Sequence, residues 1–254
     1  MSNIYGTLPV IEALRAGRRQ IEKIFVLDTA HPSRLKELIA EARRAGVPLV
    51  RSRRDVLERL ACGANHQGVI AVASAARYAD AEDIISSLPA SPMLVLLDEV
   101  EDPHNLGAVI RTAECAGATA VFVTQRHSAG LTDTVAKTSA GAVEYLPVAR
   151  VVNLASFVET LKEKNIWVVG VEAGSEKLYT DWDYSGATAL VFGSEGRGLR
   201  RLVRERCDVI VSIPVRGHIT SLNVSVAAGI VLFEAVRQRL AQLRPDKPIA
   251  VDTG

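Results

Sequence analysis

Apolar positions in the second half of the chain fall into two patterns. Met93 to Leu97, Ala120 to Val123, Trp167 to Val171, Ala189 to Phe192 and Val209 to Ser212 are short, mostly apolar runs bounded by Gly, Pro and polar residues. Such runs predict parallel strands covered by helices on both faces. Between them, Ala108 to Ala116, Leu154 to Lys164 and Val224 to Leu243 carry the three-to-four-residue spacing of helices. The alternation predicts a parallel α/β sheet over residues 92–244.

The first part of the chain reads as a smaller α/β unit. Val10 to Ala16 is a short helix opened by Pro9, Lys23 to Leu27 a strand, and Ser33 to Ala45 an amphipathic helix ended by Gly46. Val47 to Val50, a helix from Arg54 to Leu60 and the strand Val69 to Ala73 complete it. This gives a domain over residues 1–76, near the minimum independent size. Residues 77–91 combine charge, Ser and Pro without a long apolar pattern, which predicts a linker, and residues 245–254, after Pro245, predict a loose tail.

Charge sharpens this division. Of the 254 residues, 1–78 hold 13 Lys and Arg against 7 Asp and Glu, a net of +6, while the remainder holds 17 against 22, a net of −5. Arginine supplies most of the excess, and Arg15, Arg18, Arg19, Arg51, Arg53 and Arg54 are candidate contacts to nucleic-acid phosphate, which guanidinium forks suit. No apolar run approaches the roughly 20 residues that cross a bilayer, and residues 1–17 lack a signal-peptide pattern; the expectation is a cytoplasmic protein without a membrane partner. Cys62, Cys115 and Cys207 are far apart and lack metal-ligand spacing, so they are read as small buried apolar residues, and no metal is assigned.

Three clusters carry candidate chemistry, each at the end of a predicted strand, where open α/β sheets hold ligands. In the first, Asp98 to Ala113, Asn105 fits an N-cap position, while Arg111 lies on an apolar helix where an unpaired guanidinium would be costly. In the second, Gly193-Ser-Glu195-Gly196-Arg-Gly198 follows a strand. Glu195 argues against a phosphate cradle there; three glycines in six residues instead let backbone approach a ligand closely. The third, from Ile213 to Ala228, brings Ser221, Asn223 and Ser225 to the start of the last helix, more polar groups than a cap requires. His104 and His218 lie in the first and third clusters.

In this order the three clusters resemble the SpoU class of RNA 2′-O-ribose methyltransferases. Asn105-x-Gly107-x-x-x-Arg111-x-Ala113 is similar to its first motif, Gly193-x-Glu195-Gly196-x-Gly198 to its second, and Ile213-Pro214 with Ser221-Leu-Asn223-Val-Ser-Val-Ala to its third. Residues 5–73, through His66-Gln67-Gly68-Val69, resemble the substrate-binding domain of the subgroup that methylates a guanosine of large-subunit ribosomal RNA. The resemblance implies a deep trefoil knot, a rare departure from unknotted topology. It also implies S-adenosylmethionine bound at Gly193, Ile213 and Leu222, and a homodimer with the site near its interface.

The resemblance assigns catalysis to Arg111 with Asn105, Glu195, Ser221 and Asn223. The family's arginine is proposed as a proton acceptor, although arginine at a pKa of about 12.5 to 13.8 is charged at neutral pH. Stabilising a developing alkoxide as a cation is the other role open to Arg111. The remaining four would orient Arg111, the ribose and the loops. Three alternatives stand beside this reading: the same reaction on transfer RNA or at an antibiotic-resistance site of ribosomal RNA, a non-catalytic RNA-binding relative, and a nucleotide-dependent enzyme of doubly wound type, which lacks its phosphate motif.

Overall fold

The structure is a computed structural model that describes residues 2–194 and 196–243. Among these residues ten strands form two sheets, accompanied by nine α-helices and two short 3-10 helices. The N-terminal sheet is built from β1 (Ser2–Tyr5), β2 (Ile21–Leu27), β3 (Leu49–Ser52) and β4 (Val69–Ala73), in the order β1-β4-β2-β3. Its two faces are covered by different helices. Helices α1 (Thr7–Ala16) and α2 (Pro32–Arg44) enclose Ile4, Ile24, Val26 and Leu38, while α3 (Arg54–Ala61) packs Leu57 against Ile70 on the other side. The mixed pairing follows from connection lengths: β2 reaches β3 in parallel through α2, whereas β4 runs antiparallel to both neighbours.

The second sheet is parallel throughout, as the continuous apolar runs require. It contains β5 (Met93–Asp98), β6 (Ala120–Thr124), β7 (Val148–Val151), β8 (Trp167–Val171), β9 (Thr188–Gly193) and β10 (Val209–Val211), in the order β10-β8-β9-β5-β6-β7. Alternate residues of β5 serve two cores. Met93, Val95 and Leu97 pack with α5 (Pro103–Cys115) and α9 (Val224–Gln242), while Leu94 and Leu96 pack with α7 (Leu154–Glu163) and α8 (Arg201–Arg206). A strand buried on both faces has no polar positions to alternate.

Helix α4 (Ala81–Ser86) lies inside the segment read as a linker, and buries Ile84 and Ile85 on the second core. Ala79 forms a parallel bridge to Ala149, so the segment covers the edge strand β7 instead of spanning open solvent. Helix α6 (Asp133–Thr138) and strand β7 also lie outside the sequence-predicted elements. The exposed Arg150 interrupts the apolar pattern of β7, and its guanidinium stacks on the Tyr78 ring at 4.0 Å. Residues 245–254, read as a loose tail, lie outside the described residues.

The two sheets are joined by a polar seam. Arg19, buried, pairs with the buried Glu144 at 2.9 Å and donates to the Ser74 carbonyl at 2.8 Å. Asp133, opening α6, accepts from the Ser2 hydroxyl and from Asn3 N at 3.1 Å. Lys137 donates to the Asn65 carbonyl at 2.6 Å, and the Tyr145 hydroxyl donates to Glu12 at 2.5 Å. Gly141, at φ 92°, lies where a Cβ would sit 2.6 Å from Glu12 Cβ, so the domains approach there as only glycine allows.

Candidate active site

The site begins where β9 ends. A Cβ on Gly193 would lie 2.1 Å from the Gly198 carbonyl carbon and 2.5 Å from Leu199 N, so the turn closes directly over the strand end. Gly198 N donates to Ser194 O at 3.0 Å, and Gly196 and Gly198 take φ of 78° and 67°. The three glycines of the second cluster are thus required by backbone geometry. Glu195 lies outside the described residues.

Beneath this turn is a cavity of about 720 Å³. The cofactor residues expected from sequence, Gly193, Ile213 and Leu222, all line it, as do Ser221 and Asn223. The wall facing the turn is the chain between β10 and α9. Its near end is held by the loop after β8: Ser212 donates from its hydroxyl to Ser175 O at 2.7 Å and from its amide to Lys177 O at 2.8 Å, and Ser175 Oγ donates to Ile210 O at 2.7 Å. Two backbone segments with exposed polar groups, an apolar floor of Phe192, Ile213 and Val224, and this volume fit a nucleoside-sized ligand carrying a charged tail.

The first and third clusters meet at the rim. Asn223 caps α9, its Oδ1 accepting from Ser225 N at 2.9 Å and from Ser225 Oγ at 2.6 Å. Its amide nitrogen donates to Asn105 Oδ1 at 3.0 Å. The N-cap of α5 is Asp102, which accepts from His104 N at 2.8 Å, with Pro103 at the next position. Asn105 is therefore the third residue of the helix, within its first turn, and buried, which replaces the capping role read from sequence. Gly107 has a packing role: a Cβ there would lie 1.8 Å from Thr138 Oγ1 of α6.

Arg111 departs from the sequence argument. It is exposed, and among the described residues it makes no ion pair, so no buried-charge cost requires a partner within the chain. It stands on the outward side of α5 with His104 and Cys115, also exposed, available to an anionic ligand. Ser221 is likewise exposed at the cavity.

Sequence reasoning passed over two ion pairs that hold the cavity wall. Asp98, buried at the end of β5, accepts from Arg200 N at 2.9 Å and from the Arg200 guanidinium at 2.7 Å. Burial raises its carboxyl above the usual range, against the opposing bonds from Arg200. Glu172 pairs with Arg204 at 2.6 Å, and its carboxylate fills the space beside Gly198. A carboxylate ending an otherwise apolar strand was the available signal, since a buried acid needs a partner.

The six N-terminal arginines divide into two groups. Arg19 lies in the seam with its guanidinium bonded to Glu144, Ser74 and Ser2, which corrects its reading as a surface phosphate contact. Arg15 is held by Glu37, Glu41 and Glu12, and these bonds, led by Glu37, raise its pKa. Arg18, Arg51, Arg53 and Arg54 are exposed. Among the described residues Arg53 and Arg54 pair with the exposed acids Asp55 and Glu58, at 3.3 and 3.8 Å. Of the cysteines, Cys62 and Cys115 are exposed, contrary to the buried reading, and Cys207 is partly buried.

Residues 92–233 match the SpoU rRNA Methylase family, and residues 3–79 match a domain described as RNA 2′-O ribose methyltransferase substrate binding. The chain is 44% identical over 239 residues to the 23S rRNA (guanosine-2′-O-)-methyltransferase RlmB of Escherichia coli, covering 93% of this chain and 98% of that protein. It is 40% identical over 239 residues to the putative TrmH family tRNA/rRNA methyltransferase YacO of Bacillus subtilis, covering 93% and 95%. The crystal structure of the SpoU methyltransferase AviRb from Streptomyces viridochromogenes with AdoMet superposes with a TM-score of 0.78 at 28% identity, covering 94% of this chain and 90% of that one. With a family match over residues 92–233 and relatives at 40 to 44% identity along nearly their whole length, the chain belongs to the SpoU rRNA methylase family.

Proposed function

We propose that the protein transfers a methyl group from S-adenosylmethionine to the ribose 2′-hydroxyl of a guanosine in 23S ribosomal RNA, as a cytoplasmic homodimer. The observation that carries this is the cavity between the Gly193 turn and the Ile213–Val224 wall, whose rim joins Asn105 to Asn223. The relatives at 43 to 44% identity named 23S rRNA (guanosine-2′-O-)-methyltransferase support the substrate.

S-adenosylmethionine supplies an electrophilic methyl group on a sulfonium. Gly193, Ile213 and Leu222 would hold it through backbone groups, since the glycine turn leaves no side chain between backbone and cavity. Arg111, exposed and cationic, suits an RNA phosphate and the charge developing on the attacked oxygen, where a fixed donor is worth about 10²- to 10³-fold in rate. Asn105, Glu195, Ser221 and Asn223 would orient Arg111, the ribose and the loops. Arg18, Arg51, Arg53 and Arg54 would contact RNA phosphates.

Two finer features belong to the same reading. The loop bearing Ser175 and Lys177 runs parallel to the chain leaving β10, bridged between Leu178 and Ser212, and that chain continues to α9 beside α5. Membership of the SpoU family supports a trefoil knot in this segment. Val226, Phe233 and Leu240 are exposed at seven-residue intervals on α9, an apolar stripe that supports dimerisation. The direct test incubates the protein with labelled S-adenosylmethionine and 23S ribosomal RNA and maps bonds that resist alkali. One resistant guanosine is expected; label on a base, or none, contradicts the proposal.

A further inference from the structure

A second cavity, of about 570 Å³, opens in the N-terminal domain. Its lining includes His31, Arg34, Arg54, Asn65 and His66, and among the described residues no Asp or Glu contributes to it. Among the described residues Arg34 makes no ion pair, and Arg54 has only its 3.8 Å exposed pair with Glu58, a weak competitor in water. Thr7 opens α1 here, His31 caps α2 and Arg54 opens α3. Neither α1 nor α2 has an acid in its first turn, so these two ends add positive potential to the arginines, while Asp55 in the first turn of α3 offsets the third.

The histidines contribute as donors. His66 Nδ1 accepts from Gly68 N at 3.0 Å, which places the proton of the neutral ring on Nε2. Burial lowers His66 below the usual imidazole range, so the ring stays neutral at pH 7. His31 Nδ1 is engaged in the same way by Ser33, 3.4 Å from its amide and 2.8 Å from its hydroxyl.

The rim is also fixed in position. Asn65 O accepts from Lys137 on α6, and Thr138 of α6 packs against Gly107 of α5, the helix that carries Asn105 and Arg111. We propose that this cavity seats a backbone phosphodiester of the RNA substrate, held by two guanidinium groups and two imidazole N–H donors at a set offset from the methyl-transfer site. This rests on the reading of the protein as an RNA methyltransferase.

The test measures binding of the full-length protein to deproteinised 23S ribosomal RNA across a salt series, for Arg34→Ala, Arg54→Ala and Arg44→Ala. Arg44 is a control of the same charge at the opposite end of α2, about 15 Å along its axis from Arg34, where it pairs with Glu41 at 2.7 Å. Arg34→Ala and Arg54→Ala should each weaken binding roughly tenfold and lower the slope of log affinity against log salt by about 0.7 to 0.9. Arg44→Ala should leave both unchanged. Unchanged slopes in the first two, or an equal loss in all three, overturn the seat. Methyl transfer by the wild type to the same RNA is measured alongside. Transfer with normal binding by the variants overturns only the seat, whereas no transfer by the wild type overturns the functional reading beneath it.

Discussion

Asn223 and Asn105, 118 residues apart in sequence, share a hydrogen bond of 3.0 Å that ties the start of the last helix to the first turn of α5. Its direction is set by capping: Asn223 Oδ1 accepts at the start of α9, which leaves the amide nitrogen for Asn105. One side chain therefore serves both stability and the site, and the two can be separated. Asn223→Asp keeps an acceptor for the cap but removes the donor to Asn105. It should keep the melting temperature close to wild type while lowering kcat by up to about tenfold, the worth of one hydrogen bond. Asn223→Ala should lower both, with about 1 kcal/mol lost from the cap. Thermal melts and turnover of the two variants check this.

Arg111 is exposed, so its removal should not disturb the fold. Arg111→Ala is expected to lower methyl transfer by about 10²- to 10³-fold while leaving the melting temperature and S-adenosylmethionine affinity near wild type. Calorimetric titration and single-turnover transfer measure the two. Near-wild-type transfer would remove Arg111 from the chemistry.

The Arg19–Glu144 pair is buried on both sides of the domain seam. Arg19→Ala leaves the Glu144 carboxylate buried without its main partner, and should cost about 3–5 kcal/mol in urea denaturation. An exposed guanidinium would show almost no change. The same variant should weaken RNA binding no more than its stability loss explains.

Cys207 gives a prediction in pH. Burial raises its thiol to about 12, with Asp208 adding to the effect. The folded state therefore favours the protonated thiol. Its contribution to stability is complete below the unfolded value of about 8.5 and is lost as pH rises from there through about 12. At pH 8, iodoacetamide should modify the exposed Cys62 and Cys115 in the native protein, and Cys207 only after denaturation. Mass spectrometry of the labelled peptides reads the outcome directly.

Much of this architecture was legible because burial on both faces leaves a strong trace. The runs at Met93, Ala120, Trp167, Ala189 and Val209 all became strands of one parallel sheet. Edge and short elements left weaker traces: β7 carries Arg150 for its stack on Tyr78, and α4 and α6 are only six residues long. The site's glycines were legible from spacing, but the reasons for them, such as Gly107 against Thr138, are tertiary contacts that no local pattern encodes. The same holds for Arg19. Its basic neighbourhood pointed to RNA, while its partner Glu144 lies 125 residues away. Asn105 was misplaced as a cap because Asp102 and Pro103 start the helix one turn earlier.

The proposed chemistry turns on attack by a ribose 2′-oxygen. It is tested most directly by an RNA substrate carrying a single 2′-deoxyguanosine at the mapped target, with affinity and methyl transfer measured on the same preparation. Losing that hydroxyl deletes the nucleophile, while binding rests on many phosphate contacts and on RNA shape. We expect no methyl transfer, with affinity reduced by only about the 0.5 to 1.5 kcal/mol of one hydrogen bond. Methyl transfer that persists on the deoxy substrate would place the modification on the base and contradict the account.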